Sequence, residues 1–119
     1  MDAPIADRFR EAMRRTASGV AILTTDGPAG RAGVTISTLC SLSMEPPSVV
    51  ACVHQDNRAL ETVLANGVFA ANALTHDQSR VAQAFAGQIA ELRDNRFGAG
   101  TWRALATGAP ILDLSLIHI

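Results

Sequence analysis

Three groups of residues in this 119-residue chain have types and spacings that could do chemistry. The first is a run of hydroxyls, Thr35, Ser37, Thr38, Ser41 and Ser43, interleaved with Ile36, Leu39 and Cys40. Hydroxyls beside free backbone N–H groups can hydrogen-bond a planar polar ring or a phosphate. A solvated strand face is the plainer alternative. The second is His54-Gln55-Asp56-Asn57-Arg58, which follows an apolar run and opens a helical pattern. A helix N-terminus gathers unpaired N–H groups and partial positive charge, so it attracts phosphate. Arg58 adds a full charge, Asp56 works against an anion, and an ordinary capped loop has the same composition. The third is the pair His54 and His76, each apart from any Ser or Cys nucleophile and read as a surface-loop residue.

Other chemistries lack their residues. No paired carboxylates and no His/Cys cluster with metal spacing occur, and there is no CxxC. Cys40 and Cys52 have little claim to a disulfide; Cys52 reads as a small buried apolar residue, and Cys40 stands among the hydroxyls. There is no G-x-G-x-x-G opening a helix. Redox or transfer chemistry here would have to come from a cofactor.

The elements that must position these groups follow from periodicity. Residues 4–16 read as an amphipathic helix, with Pro4 in the first turn, a stripe of Ile5, Phe9, Ala12, Met13 and Thr16, and an end at Ser18-Gly19. Val20 to Thr25 is an apolar, β-branched strand. Asp26-Gly27-Pro28-Ala29-Gly30 is a turn, and Gly33 to Thr38 alternates as a half-buried strand, so the two form a hairpin. Leu39 to Glu45 continues extended until Pro46-Pro47 stops the ladder, and Ser48 to Val53 reads as a strand buried on both faces. Asp56 and Asn57 are N-caps for a short helix bearing Leu60, Val63 and Leu64, closed by Asn66-Gly67. Val68 to Leu74 is a strand, and Thr75-x-x-Gln78 is a capping box opening a helix to Gly87. Ile89 to Arg93 gives a helical turn, and the pattern after Asp94 is irregular. Short hairpin-linked strands favour a small barrel or an antiparallel α+β fold.

Composition narrows the partners. Ten Lys+Arg against eleven Asp+Glu leave a net charge of −1, which supports neither nucleic-acid binding nor a polybasic membrane patch. Hydrophobic content of 48% excludes disorder, and 4% aromatic content excludes a binder that stacks single-stranded bases. No apolar run is long enough to span a bilayer, and Asp7, Arg8 and Arg10 interrupt any signal-peptide pattern, so the expected location is cytoplasmic. The last six residues, Leu114 to Ile119, match a common sequencing-library transposon end read in frame. Residues 1–113 are therefore read as natural and 114–119 as a non-native tail, with a native terminal strand as the alternative.

The order of motifs resembles the flavin reductase-like family. Phe9-Arg10-Glu11-Ala12-Met13 followed by Ser18-Gly19-Val20-Ala21-Ile22-Leu23-Thr24-Thr25 is similar to that family's opening. Gly33-Val34-Thr35-Ile36-Ser37-Thr38-Leu39-Cys40-Ser41-Leu42-Ser43, then Pro46-Pro47, resembles its central flavin motif, and Asn72, Gln78 and Phe85-Ala86-Gly87 continue in order. The resemblance covers nearly all of residues 8–113 and is nearest to small reductase components of two-component aromatic hydroxylases, the 4-hydroxyphenylacetate 3-monooxygenase reductase type.

That resemblance implies a mainly β fold with α-helices, a homodimeric split β-barrel of the FMN-binding type. It implies bound FMN or FAD, with NADH or NADPH as co-substrate. Thr35, Ile36, Ser37, Thr38, Leu39, Cys40 and Ser41 would lie along the isoalloxazine and ribityl chain through backbone groups. Gln55, Asp56, Asn57 and Arg58 would meet the phosphate, although the family often has Ser or Thr where Asn57 stands. Phe85 and Ala86 would sit near the ring or the nicotinamide. The implied reaction is hydride transfer from nicotinamide C4 to flavin N5, with backbone donors offsetting charge near N1 and O2 and no acid–base residue. Reduced flavin would diffuse to a partner monooxygenase.

Family members continue through further strands and a Gly-Asp-His-type segment. The expectation is an incomplete barrel truncated at residue 113, with roughly a third of the domain absent, unpaired edges and poor stability. Two other classes compete: a non-catalytic flavin- or heme-binding split barrel, and a hydroxylase-assembly subunit without a cofactor.

Overall fold

Strand β1, Ala21–Thr25, has something to bury on both faces, and the fold is built around it; all five residues are buried. The computed structural model describes residues 3–15, 19–113 and 117–118. Successive strand side chains point to opposite sides. Ala21 and Leu23 join Val34 and Ile36 of β2 (Ala32–Ile36), Ala71 of β5 (Ala70–Ala73) and Ala59 of helix α2 (Arg58–Asn66) in one apolar cluster. Ile22 faces the other way, into a cluster with Val81 and Phe85 of α3 (Ser79–Phe85) and Leu112 of β7 (Pro110–Leu112). The sheet is thus covered by α2 on one face and by α3 with a C-terminal hairpin on the other.

The main sheet has the order β2-β1-β5-β8, where β8 is Ile117–His118 paired with Ala73 and Asn72, and its ladders are antiparallel. Two separate hairpins stand beside it: β3 (Cys40–Met44) with β4 (Pro47–Val50), and β6 (Trp102–Ala104) with β7. The class is therefore mixed α/β. Among the described residues the strands do not close into a barrel.

Polar ties lock the buried strands. Asn72 is completely buried; its Nδ2 donates to the Ile22 carbonyl at 3.1 Å and the Thr24 hydroxyl at 3.4 Å, and its Oδ1 accepts from the Leu112 N–H at 2.9 Å. One side chain thereby joins β1, β5 and β7. The buried Thr24 hydroxyl also donates to the Pro110 carbonyl, and Thr25 donates to the Val68 carbonyl at 2.7 Å. These bonds remove the desolvation cost that three buried polar side chains would otherwise carry.

Several expectations are met, and several are corrected. The early hairpin, the capped short helix and strand β5 stand where the sequence places them. Helix α1 spans Ala3–Arg14, and its stripe residues Ile5, Phe9 and Met13 are each more than half exposed. Thr16 and Ser18, expected to complete and end that helix, lie outside the described residues, as do 114–116 and 119 of the expected tail. Pro46-Pro47 does not stop the ladder. Met44 pairs with Pro47 across a turn whose Glu45–Pro46 bond is cis, so the prolines serve a hairpin. Ser48 to Val53 is not buried on both faces: β4 ends at Val50, itself 41% exposed, because its hairpin lies outside the main sheet. Cys52, expected to be buried, is exposed, as is Cys40, and both are free thiols. The helix after Thr75 begins as a 3-10 turn, His76–Gln78, with Gln78 Oε1 accepting from the Thr75 N–H at 3.0 Å. The β6–β7 hairpin went unread because each arm is only three residues long.

Candidate functional site

The start of α2 is fixed locally. Asn57 holds an extended N-cap conformation, and its Oδ1 accepts from the Ala59 N–H at 2.9 Å. The Asn57 N–H closes a turn on the His54 carbonyl at 2.9 Å, and the Asp56 N–H donates to His54 Nδ1 at 3.2 Å. Arg58 is consequently the first residue of the helix, and the Leu60 N–H that follows donates to the Asn57 carbonyl at 3.1 Å. At the far end, Gly67 in the left-handed region (φ 74°) donates to the Val63 carbonyl at 2.8 Å.

The last residue of α2 positions a second basic group. Asn66 reaches across to the β1–β2 turn: its Oδ1 accepts from the Ala29 N–H at 2.8 Å, and its Nδ2 donates to the Gly30 carbonyl at 2.8 Å and the Thr25 hydroxyl at 3.2 Å. The next residue, Arg31, lies with its guanidinium carbon 3.9 Å from the centroid of the Phe97 ring. Phe97 belongs to the 3-10 turn Arg96–Ala99 and packs edge-on against Phe85 and Trp102, with centroids 4.9 Å apart in both pairs.

The third and fourth basic groups hang from the end of α3. Arg96 Nη1 donates to the Phe85 carbonyl at 2.9 Å, and Arg93 Nε donates to the Gly87 carbonyl at 3.2 Å. Gly87 has φ 77°, and a Cβ there would come within 3.3 Å of Arg96 Nη2, so glycine serves both the turn and the close approach.

Together Arg31, Arg58, Arg93 and Arg96, with Asn57 and Gly33, line an open cleft of about 470 Å³. Asp94 is the one carboxylate on its lining. Four of the six arginines elsewhere are ion-paired: Arg10 with Asp7, Arg14 and Arg15 with Glu11, Arg103 with Asp113. Among the described residues none of the four cleft arginines has an ion pair. Three of them are instead held by neutral groups, two carbonyls and a ring face. The cleft therefore concentrates positive charge at a helix N-terminus, in a chain whose net charge is −1.

The expected site residues divide between this cleft and its surroundings. Asn57 and Arg58 line it, while Gln55 and Asp56 are exposed on the turn leading in. The hydroxyl run leads away from it. Thr35 donates to the Ala82 carbonyl at 2.7 Å; Thr38 donates to the Cys52 carbonyl at 2.8 Å and accepts from the Cys52 N–H at 3.1 Å. Ile36 is core, Leu39 is half-buried against it, and Ser37, Cys40 and Ser41 are exposed. Phe85 is 1% exposed, inside the aromatic cluster, and Ala86 is exposed at the helix end. His54 and His76 are exposed in loops, as expected.

Arg31, Arg93 and Arg96 were missed by sequence reasoning. The available signal was local: an arginine after a glycine turn and an Arg-x-x-Arg in an irregular stretch. A whole-chain charge balance hides both.

The donor set fits the phosphate end of a nucleotide, because guanidinium groups and helix N–H groups both favour multiply charged oxyanions. It also fits a ring on the adjoining strand. Among the described residues β2 is the outer strand of the sheet, and one row of its N–H and C=O groups has no ladder partner there. The described residues hold no group of three or more His, Cys, Asp or Glu side chains able to bind a metal, and no described helix is long and apolar enough to cross a membrane.

A family model described as flavin reductase like domain matches residues 13–119. The chain is 45% identical over 112 residues to a protein named FMN reductase (NADH) RutF 1 of Methylorubrum extorquens, covering 94% of this chain and 55% of that protein. It thus spans about half the length of the curated relatives it matches. Among solved structures, a nitrilotriacetate monooxygenase component B homologue of Mycobacterium thermoresistibile superposes with a TM-score of 0.85 at 30% identity, covering 98% of this chain and 64% of that one. The NADH:FAD oxidoreductase SgcE6 of Streptomyces globisporus superposes with a TM-score of 0.82 at 26% identity, covering 99% and 65%.

Proposed function

The chain belongs to the flavin reductase-like domain family, and we propose on that footing that it takes part in NAD(P)H:flavin oxidoreduction with FMN or FAD. The observation that carries the reading is the arginine cleft at the α2 N-terminus, set beside the outer edge of β2. Asn57 and Arg58, at the positive end of α2, hold the flavin phosphate, with Gln55 and Asp56 on the approach. Backbone groups from Thr35 to Ser41 hold the ring and offset negative charge at its N1–O2 side. The flavin, when bound, supplies an acceptor at N5 for the nicotinamide hydride. Ala86 faces the ring or nicotinamide side, and the buried Phe85 acts through its carbonyl, which fixes Arg96. No side chain need donate or accept a proton; the His54–Asp56 and His76–Asp77 contacts are exposed in loops and lie off the cleft lining.

The same reading includes a homodimer of split-barrel domains in the cytoplasm, NADH or NADPH as reductant, and diffusion of reduced flavin to a monooxygenase component. It takes residues 1–113 as the flavin reductase-like domain and 114–119 as appended residues. Relatives named for FMN and for FAD both support a flavin and leave its identity open.

The test is to mix purified chain with NADH and either flavin and follow the nicotinamide absorbance band. Saturable NADH loss with rising flavin is the expected result. Flavin binding without NADH loss would make the chain a binding module, and no flavin binding at all would end the reading.

A further inference from the structure

We propose that Cys40 and Cys52 form an oxidisable dithiol, a site at which hydrogen peroxide closes a disulfide across the β3–β4 ribbon and thereby loosens the flavin seat. The proposal rests on the flavin reading above and adds a modification site that regulates it. These are the chain's two cysteines, and both are exposed free thiols.

Register and alternation bring them to one face. Cys40 stands opposite Val50 in the ribbon. The Thr38 hydroxyl donates to the Cys52 carbonyl at 2.8 Å and accepts from the Cys52 N–H at 3.1 Å, which continues the same pairing beyond the end of the ladder. Leu39, Ala51 and Val53 pack against the apolar cluster of Leu23 and Val34. Alternate residues of an extended chain face opposite ways, so Cys40 and Cys52 both turn away from that cluster. They are thus diagonal neighbours on adjoining arms. Diagonal neighbours lie about 7–8 Å apart, and a disulfide spans about 4.4–6.8 Å between Cα atoms. Closure therefore needs a shift of about 1 Å. The ribbon can supply it, because it stands outside the main sheet and its register already shifts between Ser41 and Ser43.

The chemistry balances with peroxide as oxidant. One thiol takes an oxygen atom from hydrogen peroxide, becomes a sulfenic acid and releases water. The second thiol then displaces the sulfenic hydroxyl as a second water, and the S–S bond forms. The two thiols together lose two electrons and two protons. Reduced flavin that meets dioxygen yields oxidised flavin and this same peroxide, so the proposed reaction supplies its own oxidant. Closure draws Cys52 toward Cys40 and off the Thr38 hydroxyl that holds both its backbone groups. The disturbance falls within residues 35–41, the stretch assigned to the flavin ring. The result is a reductase that disengages when its product is lost to air, and that thiol reductants restore.

The test treats the whole chain with hydrogen peroxide, alkylates the remaining thiols and maps the peptides by mass spectrometry. A Cys40–Cys52 link within one chain, reversed by dithiothreitol, is expected. Met44 is 85% exposed and gains oxygen under the same treatment, but dithiothreitol does not reverse that change. Flavin affinity should fall at least fivefold on closure and return with dithiothreitol. Cys52→Ser should keep its flavin affinity under the same peroxide. Thiols that stay free, that stop at separate oxygenated forms, or that link only between chains would overturn the proposal. So would a linked chain that binds flavin as tightly as the reduced one, or a Cys52→Ser chain that loses flavin equally. A reduced chain that binds no flavin is a different failure, that of the reductase reading; it removes the regulatory consequence too, while the peptide map still decides the bridge.

Discussion

Gly33 is the second residue of β2, opposite Thr24, and alanine there should be costly. An added Cβ would stand 2.5 Å from Phe85 Cε1, 2.8 Å from Cδ1 and 3.1 Å from the Leu23 carbonyl oxygen. Carbon atoms prefer about 3.5–4.0 Å, so the overlap with the ring is about 1 Å. Phe85 cannot swing away cheaply, because it is 1% exposed and wedged edge-on against Phe97 and Trp102 at 4.9 and 5.4 Å. Overpacking of this kind costs about 1–3 kcal/mol, and the gain from a less flexible unfolded chain returns only about 0.4–1 kcal/mol. We expect a net loss of about 1.3 kcal/mol, or about 5 °C in Tm for a domain of this size. Urea denaturation followed by far-ultraviolet circular dichroism measures it as a lower midpoint at unchanged slope. A double-mutant cycle with Phe85→Leu locates the cause: the smaller side chain should relieve the clash and give a coupling of about 1 kcal/mol. A Gly33→Ala chain as stable as the parent, or strictly additive substitutions, would refute the argument that β2 needs a glycine to admit this ring.

Three further outcomes follow from the same geometry. Asn72→Ala should cost about 2–4 kcal/mol in the same denaturation assay, because it removes the bonds to Ile22, Thr24 and Leu112 and leaves a void in the core. Asn66→Ala removes three bonds to the β1–β2 turn and should cost about 1–2 kcal/mol. It should also speed amide hydrogen exchange at Ala29 and weaken anion binding through a displaced Arg31. Asn57→Ala should lose about 1 kcal/mol as a missing N-cap, whereas Asn57→Asp keeps the cap and the stability; calorimetric titration with AMP should still show weaker binding to Asn57→Asp, because it adds negative charge where the anion sits.

What was legible in the sequence was whatever is encoded by neighbours. Asn57 and Gly67 bracket α2 because capping is decided within a few residues, and the Asp26–Gly30 turn announces a hairpin for the same reason. The alternation in residues 33–38 showed which side chains share a face, but not that α3 would cover the Thr35 side and occupy its hydroxyl. Ser48 to Val53 misled because a short apolar run reads as doubly buried whether or not a second layer exists, and here β4 belongs to a hairpin outside the main sheet. The cleft was half legible. Asn57 and Arg58 carry a helix-start signal, while Arg31, Arg93 and Arg96 meet them only through tertiary ties, the Asn66 bridge and the carbonyls of Phe85 and Gly87.

Trp102 is the chain's sole tryptophan, and its indole N–H donates to the Phe97 carbonyl at 2.8 Å, directly behind the ring on which Arg31 rests. All tryptophan emission therefore originates from a ring packed on Phe97, just behind the lining of the cleft. Oxidised flavins absorb in the band where that emission falls, so seating one in the cleft would drain the signal by energy transfer. The aromatic cluster that braces the arginines thus doubles as an optical gauge of occupancy, present without any label.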